Sequence, residues 1–143
     1  MSMNREESSH EQLVAIAKEA SLRSYSPYSR FRVGAAVLCA DGSVYRGTNI
    51  ENRSFGLTSC AERSAVFSAV SDGKRKLAAV AVYSPDASYP VPPCGACRQV
   101  LSEFGDPGMA VIMACEGRRL EKTLAEIFPL DSLHELREDE PRH

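Results

Sequence analysis

Cys60-Ala61-Glu62 and, well downstream, Pro93-Cys94-Gly95-Ala96-Cys97 constrain this chain more than any other feature. Thiols that share a metal must meet within a few ångströms, so the fold has to bring two distant stretches to one point. Cys94 and Cys97 are three apart and can face the same side of one helical turn. Cys60 must come from a second element. Three cysteines at these spacings can hold one zinc ion and leave its fourth position open, which separates a catalytic zinc from a structural one. Glu62, two residues after the first ligand, is placed to act on whatever fills that position.

Cys60 and the Cys94/Cys97 pair each stand at a predicted helix start. Unpaired N–H groups and the positive end of the helix dipole stabilise thiolates there. Three thiolates on one Zn²⁺ leave a net negative charge, which weakens the ion as a Lewis acid. Arg63, and more distantly Arg98, are placed to offset this by hydrogen bonding to a sulfur. Other readings of the same residues exist. A redox dithiol would leave Cys60 and Glu62 without a role. A structural zinc site would need a fourth ligand from Cys39, Cys115, His10, His134 or His143. The histidines lie near the termini, and Cys39 and Cys115 sit in apolar runs as small buried hydrophobes do. Ser59-Cys60-Ala61-Glu62 also fits a capping box, in which Glu62 would serve the helix end.

The bulk properties are those of an ordinary globular chain. The 143 residues are 43% apolar and 25% charged, with a net charge of −2. No basic stripe invites nucleic acid, and no apolar run is long enough to span a membrane. The polar N-terminus lacks a signal-peptide core. Five cysteines, an odd number, argue against a disulfide framework. The expectation is a cytoplasmic protein.

Periodicity predicts a first helix from His10 to Ser24, then strands over Phe31–Ala40 and Ser43–Ile50 joined at Asp41-Gly42. A second helix runs from about Cys60 to Asp72, capped by Gly73, before a buried strand, Leu77–Tyr83. A Pro-rich loop leads to a third helix, Cys94–Phe104, and a second buried strand, Met109–Cys115. A short edge strand and a short helix, Thr123–Phe128, complete the pattern. Two buried strands separated by a helix imply a right-handed parallel crossover. The expected fold class is α/β, a three-layer α/β/α sandwich with a mixed five-stranded sheet. Residues 10–133 read as one domain, with polar tails at 1–9 and 134–143.

Four motifs then carry a resemblance. Ser26-Pro27-Tyr28-Ser29-Arg30-Phe31-Arg32-Val33-Gly34-Ala35-Ala36, Asn49-Ile50-Glu51-Asn52, Cys60-Ala61-Glu62-Arg63 and Pro93-Cys94-Gly95-Ala96-Cys97-Arg98-Gln99-Val100 stand in the order found in the small cytidine deaminases. The resemblance runs from about residue 12 to about residue 128. It implies one zinc per subunit on Cys60, Cys94 and Cys97, activating a water, with Glu62 moving protons to N3 and to the leaving amine. It implies that the Ala61 backbone and Glu62 hold the pyrimidine edge, that Asn49 and Glu51 bind ribose hydroxyls, and that Phe31 packs on the nucleoside. Asn49 and Glu51 are two apart on an extended stretch, so they share a face. Standing alone they would read as a turn-capping Asn and a solvated Glu. The resemblance further implies a homotetramer, with Tyr28 and Phe55 at the pocket rim or a subunit contact. The expected function is hydrolytic deamination of cytidine and deoxycytidine in pyrimidine salvage.

The C-terminal end departs from the family pattern. No aromatic follows Pro129, where family members commonly place one over the base. Either Phe128 or Phe55 substitutes, or the base pocket is more open. The ending resembles that of blasticidin S deaminases, so a modified cytosine nucleoside is the second substrate reading. A structural-zinc α/β protein without catalysis is the rival from another class. Deamination within a polynucleotide would require a basic channel that this slightly acidic chain does not encode.

Overall fold

Strict alternation along the strands builds both faces of the sheet. The structure, a computed structural model, describes residues 5–136, and side chains from residue 7. Helix α1 (Arg5–Ser21) precedes β1 (Gly34–Cys39) and β2 (Val44–Thr48). Then come α2 (Ala61–Ser71), β3 (Leu77–Tyr83), α3 (Gly95–Phe104), β4 (Gly105–Cys115), β5 (Arg118–Thr123) and the single turn α4 (Leu124–Ile127). The five strands lie in the order β2-β1-β3-β4-β5. Only β3 and β4 are parallel, linked by α3, and the other pairs are antiparallel. The mixed five-stranded sheet is thus the one expected.

Ala35, Val37, Val80, Val82, Val111 and Met113 point to one face, where Ala61, Ala65, Val66 and Ala69 of α2, Leu101 of α3 and Leu124 of α4 cover them. Their neighbours Ala36, Ala79, Ala81, Ile112 and Ala114 point to the other, where Leu13 and Ala17 of α1 pack. These two apolar layers make the three-layer sandwich. Small residues on the α1 side let the helix lie close to the sheet. A Cβ on Gly34 would come within 2.0 Å of the Ala17 carbonyl oxygen. The same holds on the opposite face, where a Cβ on Gly47 of β2 would meet Ala65 N at 2.4 Å and Ala61 O at 2.7 Å. Glycine at 47 therefore sets the height of α2 above the sheet, and α2 carries Glu62.

The boundaries differ from the expected ones in instructive places. Helix α1 already begins at Arg5, so part of the expected 1–9 tail is helical, and residues 1–4 lie outside the described ones. It ends at Ser21 rather than Ser24. Of the expected 134–143 tail, His134–Leu136 form a turn of 3-10 helix and 137–143 lie outside the described residues. Strand β1 starts at Gly34, not Phe31, because Phe31 O, Arg32 N and Val33 N bond to the side chains of Asn49 and Asp86, and only Val33 O takes a backbone bond, from Asn49 N. Strand β4 starts at Gly105, four residues before Met109, because an irregularity between the Leu77↔Gly105 and Ala79↔Ala110 pairs admits Asp106-Pro107-Gly108. Asp41-Gly42 does turn the β1–β2 hairpin, with Gly42 at φ 92°. Among the described residues no helix is long and apolar enough to cross a membrane.

Replacing Gly47 by Ala forces α2 off the sheet and is expected to destabilise the protein by about 2 kcal/mol, within the usual range for overpacking. Gly56→Ala, at a position where an added Cβ meets nothing within 4 Å, should stay within about 0.5 kcal/mol of wild type. Urea unfolding of both variants checks this, and equal midpoints would contradict the close approach.

Candidate metal and catalytic site

Two helix starts converge at one end of the sheet. Cys60 is the N-cap of α2 and Cys94 the N-cap of α3, both with extended backbone angles, and Cys97 lies in the first turn of α3. Their sulfurs lie 3.7 Å (Cys60–Cys94) and 3.5 Å (Cys94–Cys97) apart, and all three fall within 4.8 Å of one another. These separations exceed the roughly 2.05 Å of a disulfide, and all five cysteines are free. They match a tetrahedron instead. Zn–S bonds of about 2.3 Å set sulfur–sulfur edges of about 3.8 Å. Cys94 is exposed and Cys97 fully buried, so the cluster opens to solvent on one side.

The charges point the same way. The Cys60 thiol is pulled down to about 5, first by the hydrogen bond from Cys97 and then by Arg63. The Cys97 thiol is pushed far up, because it keeps the proton it shares with Cys60 and is buried. One sulfur ionises and holds its neighbour protonated. A divalent cation among them is what allows all three to be thiolates, so the donor set fits zinc. Arg63 Nη2 donates to Cys60 Sγ at 3.2 Å, as expected for a cation that offsets thiolate charge. Its Nε is buried without a partner among the described residues. Arg98 is used differently: Nε donates to Pro93 O at 2.7 Å and Nη1 to Ile127 O at 2.5 Å, which ties the thiol-bearing loop to the end of α4.

The capping box at Ser59 does not form. The α2 cap is Cys60, with no side-chain cap bond, and Ser59 Oγ bonds to Cys60 O. Glu62 bonds its own backbone N–H in the first turn of α2 and makes no capping box with Ser59. It is 5% exposed, and burial lifts its carboxyl to about 7 against the opposing effects of its own backbone N–H first, then of Arg63 and Cys97. A buried carboxyl beside three sulfurs, at an opening, is a group able to take and return a proton.

Asn49 and Glu51 are joined to this cluster by backbone pairing. Ile50, between them, bonds reciprocally with Ser59, the residue before Cys60, and also bridges to Tyr25. Asn49 Oδ1 accepts from Val33 N at 2.9 Å and from Ser24 Oγ, and Nδ2 donates to Phe31 O at 2.8 Å. Glu51 Oε1 accepts from Tyr28 N (2.9 Å) and Ser29 N (3.1 Å), and Oε2 from Ser29 Oγ. These bonds, the Ser29 hydroxyl first, hold the Glu51 carboxyl below the usual range. Both residues therefore fasten the loop that carries Phe31, a task that the sequence pattern did not reveal. Ala61 is fully buried at the first position of α2, next to Cys60. Phe128 packs against the core and does not cover a base, whereas Phe55 is 75% exposed and meets Tyr28 edge-on at 5.8 Å. Sequence reasoning also missed Arg32 and Asp86, which form a bidentate pair across the site's edge. They are far apart in the chain, and no local spacing marks such a pair. A cavity of about 680 Å³ lies elsewhere, between Ser102, Leu124, Phe128 and Leu130.

Comparison with known proteins decides what this arrangement is. Residues 7–114 match the family model of the cytidine and deoxycytidylate deaminase zinc-binding region. The chain belongs to this deaminase family. Cytidine deaminase of Halalkalibacterium halodurans is 51% identical over 118 residues, covering 82% of this chain and 89% of the relative. Cytidine deaminase of Sporosarcina psychrophila is 49% identical over 120 residues, covering 83% and 88%. The crystal structure of cytidine deaminase from Burkholderia pseudomallei superimposes with a TM-score of 0.80 at 43% identity, covering 84% of this chain and 96% of that one. Zinc-dependent deamination is the function of the family, and Cys60, Cys94 and Cys97 are placed to hold its metal ion.

The purified deaminase chain is expected to carry about one zinc ion, and Cys97→Ser to keep less than about a tenth of it after dialysis against a chelator. Atomic emission on both proteins checks the assignment. Full zinc retention by the variant would exclude Cys97 as a ligand.

Proposed function

We infer that this chain is a hydrolytic deaminase that converts cytidine and deoxycytidine to uridine and deoxyuridine. The observation that carries the reading is the buried Glu62 beside three sulfurs at zinc-like spacing, one side of which is open. Cys60, Cys94 and Cys97 would hold zinc, which when bound supplies Lewis acidity and lowers the pKa of a water at neutral pH. Glu62 holds the proton lost from that water and delivers protons to N3 and to the departing amine. The net change is one water consumed and one ammonia released, with C4–N exchanged for C4–O. The Ala61 backbone and the Glu62 carboxyl hold the pyrimidine edge. Asn49 keeps one amide N–H, and Glu51 a lone pair, for the vicinal sugar hydroxyls, beyond the bonds they make to the loop. Phe31 lies on that same loop and packs on the nucleoside. Arg63 moderates the thiolate charge on Cys60.

The wider setting follows from the same residues. Tyr25, Tyr28, Ile50, Phe55 and Leu57 are exposed on the segments beside the site, and a homotetramer would cover such a surface. Five free thiols suit a reducing compartment, which supports a cytoplasmic enzyme of pyrimidine salvage.

Ammonia release from cytidine tests the reading. The wild-type protein should turn cytidine over, and Glu62→Gln should lose at least about a thousandfold in kcat, as expected for removal of a general acid–base, with zinc retained. Equal rates in both proteins would remove Glu62 from the chemistry. No release by either, with zinc bound, would exclude cytidine and turn attention to modified cytosine nucleosides.

A further inference from the structure

The loop from Ser24 to Val33 has no helix or strand of its own, yet it frames the residues assigned to the sugar. Its shape decides where they point. Asn49 spends Oδ1 and one amide hydrogen on it, and Glu51 spends both oxygens. The remaining N–H and lone pair have their directions set by those bonds. Within the loop, Arg30 adopts φ 58°, a left-handed conformation that non-glycine residues hold only where their surroundings enforce it.

One anchor of the loop lies outside it. Asp86 Oδ2 accepts from Arg32 N at 2.8 Å and from Arg32 Nε at 3.0 Å, and Oδ1 accepts from Nη2 at 2.9 Å. Ser84 Oγ donates to Arg32 O at 2.7 Å, and Asp86 N donates back to Ser84 Oγ at 3.3 Å. Both backbone polar groups of Arg32 and its guanidinium are thus bound by residues 84–86. That stretch leaves β3 and opens the long loop that ends at Cys94, so the sugar-side loop is tied at this pair to the start of the loop that carries the thiols. The pair is partly exposed, with the Arg32 side chain at 43% and Asp86 at 26%. Exposed ion pairs add little to global stability. Three convergent bonds, one of them to backbone, instead define a position.

We propose that Asp86 is a positioning residue for the nucleoside: through Arg32 it holds the Ser24–Val33 loop so that Asn49, Glu51 and Phe31 meet the sugar. This rests on the deaminase reading for the identity of the ligand. It assigns no chemistry to Asp86, which acts on ground-state binding and not on the proton transfers at Glu62.

Asp86→Ala and Asp86→Asn, assayed with cytidine beside wild type, test it. Asp86→Ala is expected to raise KM about tenfold, the effect of losing hydrogen bonds to a charged group, with kcat within about threefold of wild type. Asp86→Asn keeps one oxygen for Arg32 N and should fall between. Zinc content and thermal midpoint should stay at wild-type values. Amide hydrogen exchange should quicken at Tyr28, Ser29 and Val33 and not in α2. An unchanged KM overturns the proposal, as does a loss of zinc, melting temperature and kcat in step with KM, the mark of a merely structural residue. If the wild-type protein does not act on cytidine, the deaminase reading fails separately. The exchange data still decide the link, since unaltered exchange in the loop of Asp86→Ala overturns it.

Discussion

Three sulfurs within 4.8 Å of one another cannot all carry charge unless a cation sits among them, and the rest of the site is arranged around that fact. Two helices begin at the cluster, with Cys60 and Cys94 as their N-caps. Arg63 brings a guanidinium to Cys60. Glu62, in the first turn of the helix that Cys60 caps, is buried beside the sulfurs. The sheet serves this geometry. Parallel pairing of β3 and β4 makes α3 a crossover whose start lies at the strand ends, and the absent Cβ of Gly47 lets α2 come down to meet it.

The protein divides its labour between stiff and irregular parts. The cysteines placed to hold the metal, and the acid proposed to move protons, sit on helix starts backed by fully buried Ala61, Ala65 and Leu101. The residues assigned to the sugar sit on backbone paired through Ile50 to Ser59 and Tyr25, and on a loop held by side-chain bonds as well as by backbone bonds at Tyr25 and Val33. On the proposed reading Asn49 and Glu51 do both jobs at once: they satisfy loop amides and retain one polar group each for a ligand. That doubling explains why a binding pair can look, residue by residue, like a turn cap and a solvated acid. It also makes the loop's outer anchor, the Arg32–Asp86 pair, part of the site although it touches none of the sulfurs.

Much of this was legible in the chain. Continuous apolar runs over Leu77–Tyr83 and Met109–Cys115 marked the central parallel pair, because a strand covered on both faces shows no polar side. The Cys-x-x-Cys spacing and the lone Cys60 marked the metal site, because ligand chemistry restricts residue type and helical spacing restricts geometry. Boundaries were less legible. Phe31–Val33 has strand-like composition but bonds to Asn49 and Asp86 instead of a strand. Asp106-Pro107-Gly108 reads as a break but is absorbed in an irregular β4. In both cases a distant partner overrode the local preference. Phe128 illustrates the limit for side chains, since only the packing shows that it belongs to the core.

The sequence by itself determined the layers, the strand that must be central, the metal ligands and the acid beside them. Those properties depend on residue type and on spacing within a helix turn or a strand, which are local. The tertiary structure alone decided that the Ser59 capping box would not form, that Arg63 rather than Arg98 would reach a sulfur, and that Asp86 would hold Arg32. Each of those outcomes is a competition for a hydrogen-bond partner, and two of them turn on partners remote in the chain. Such competitions are settled by which groups the packed sheet brings within about 3 Å, a distance that no pattern along the chain encodes.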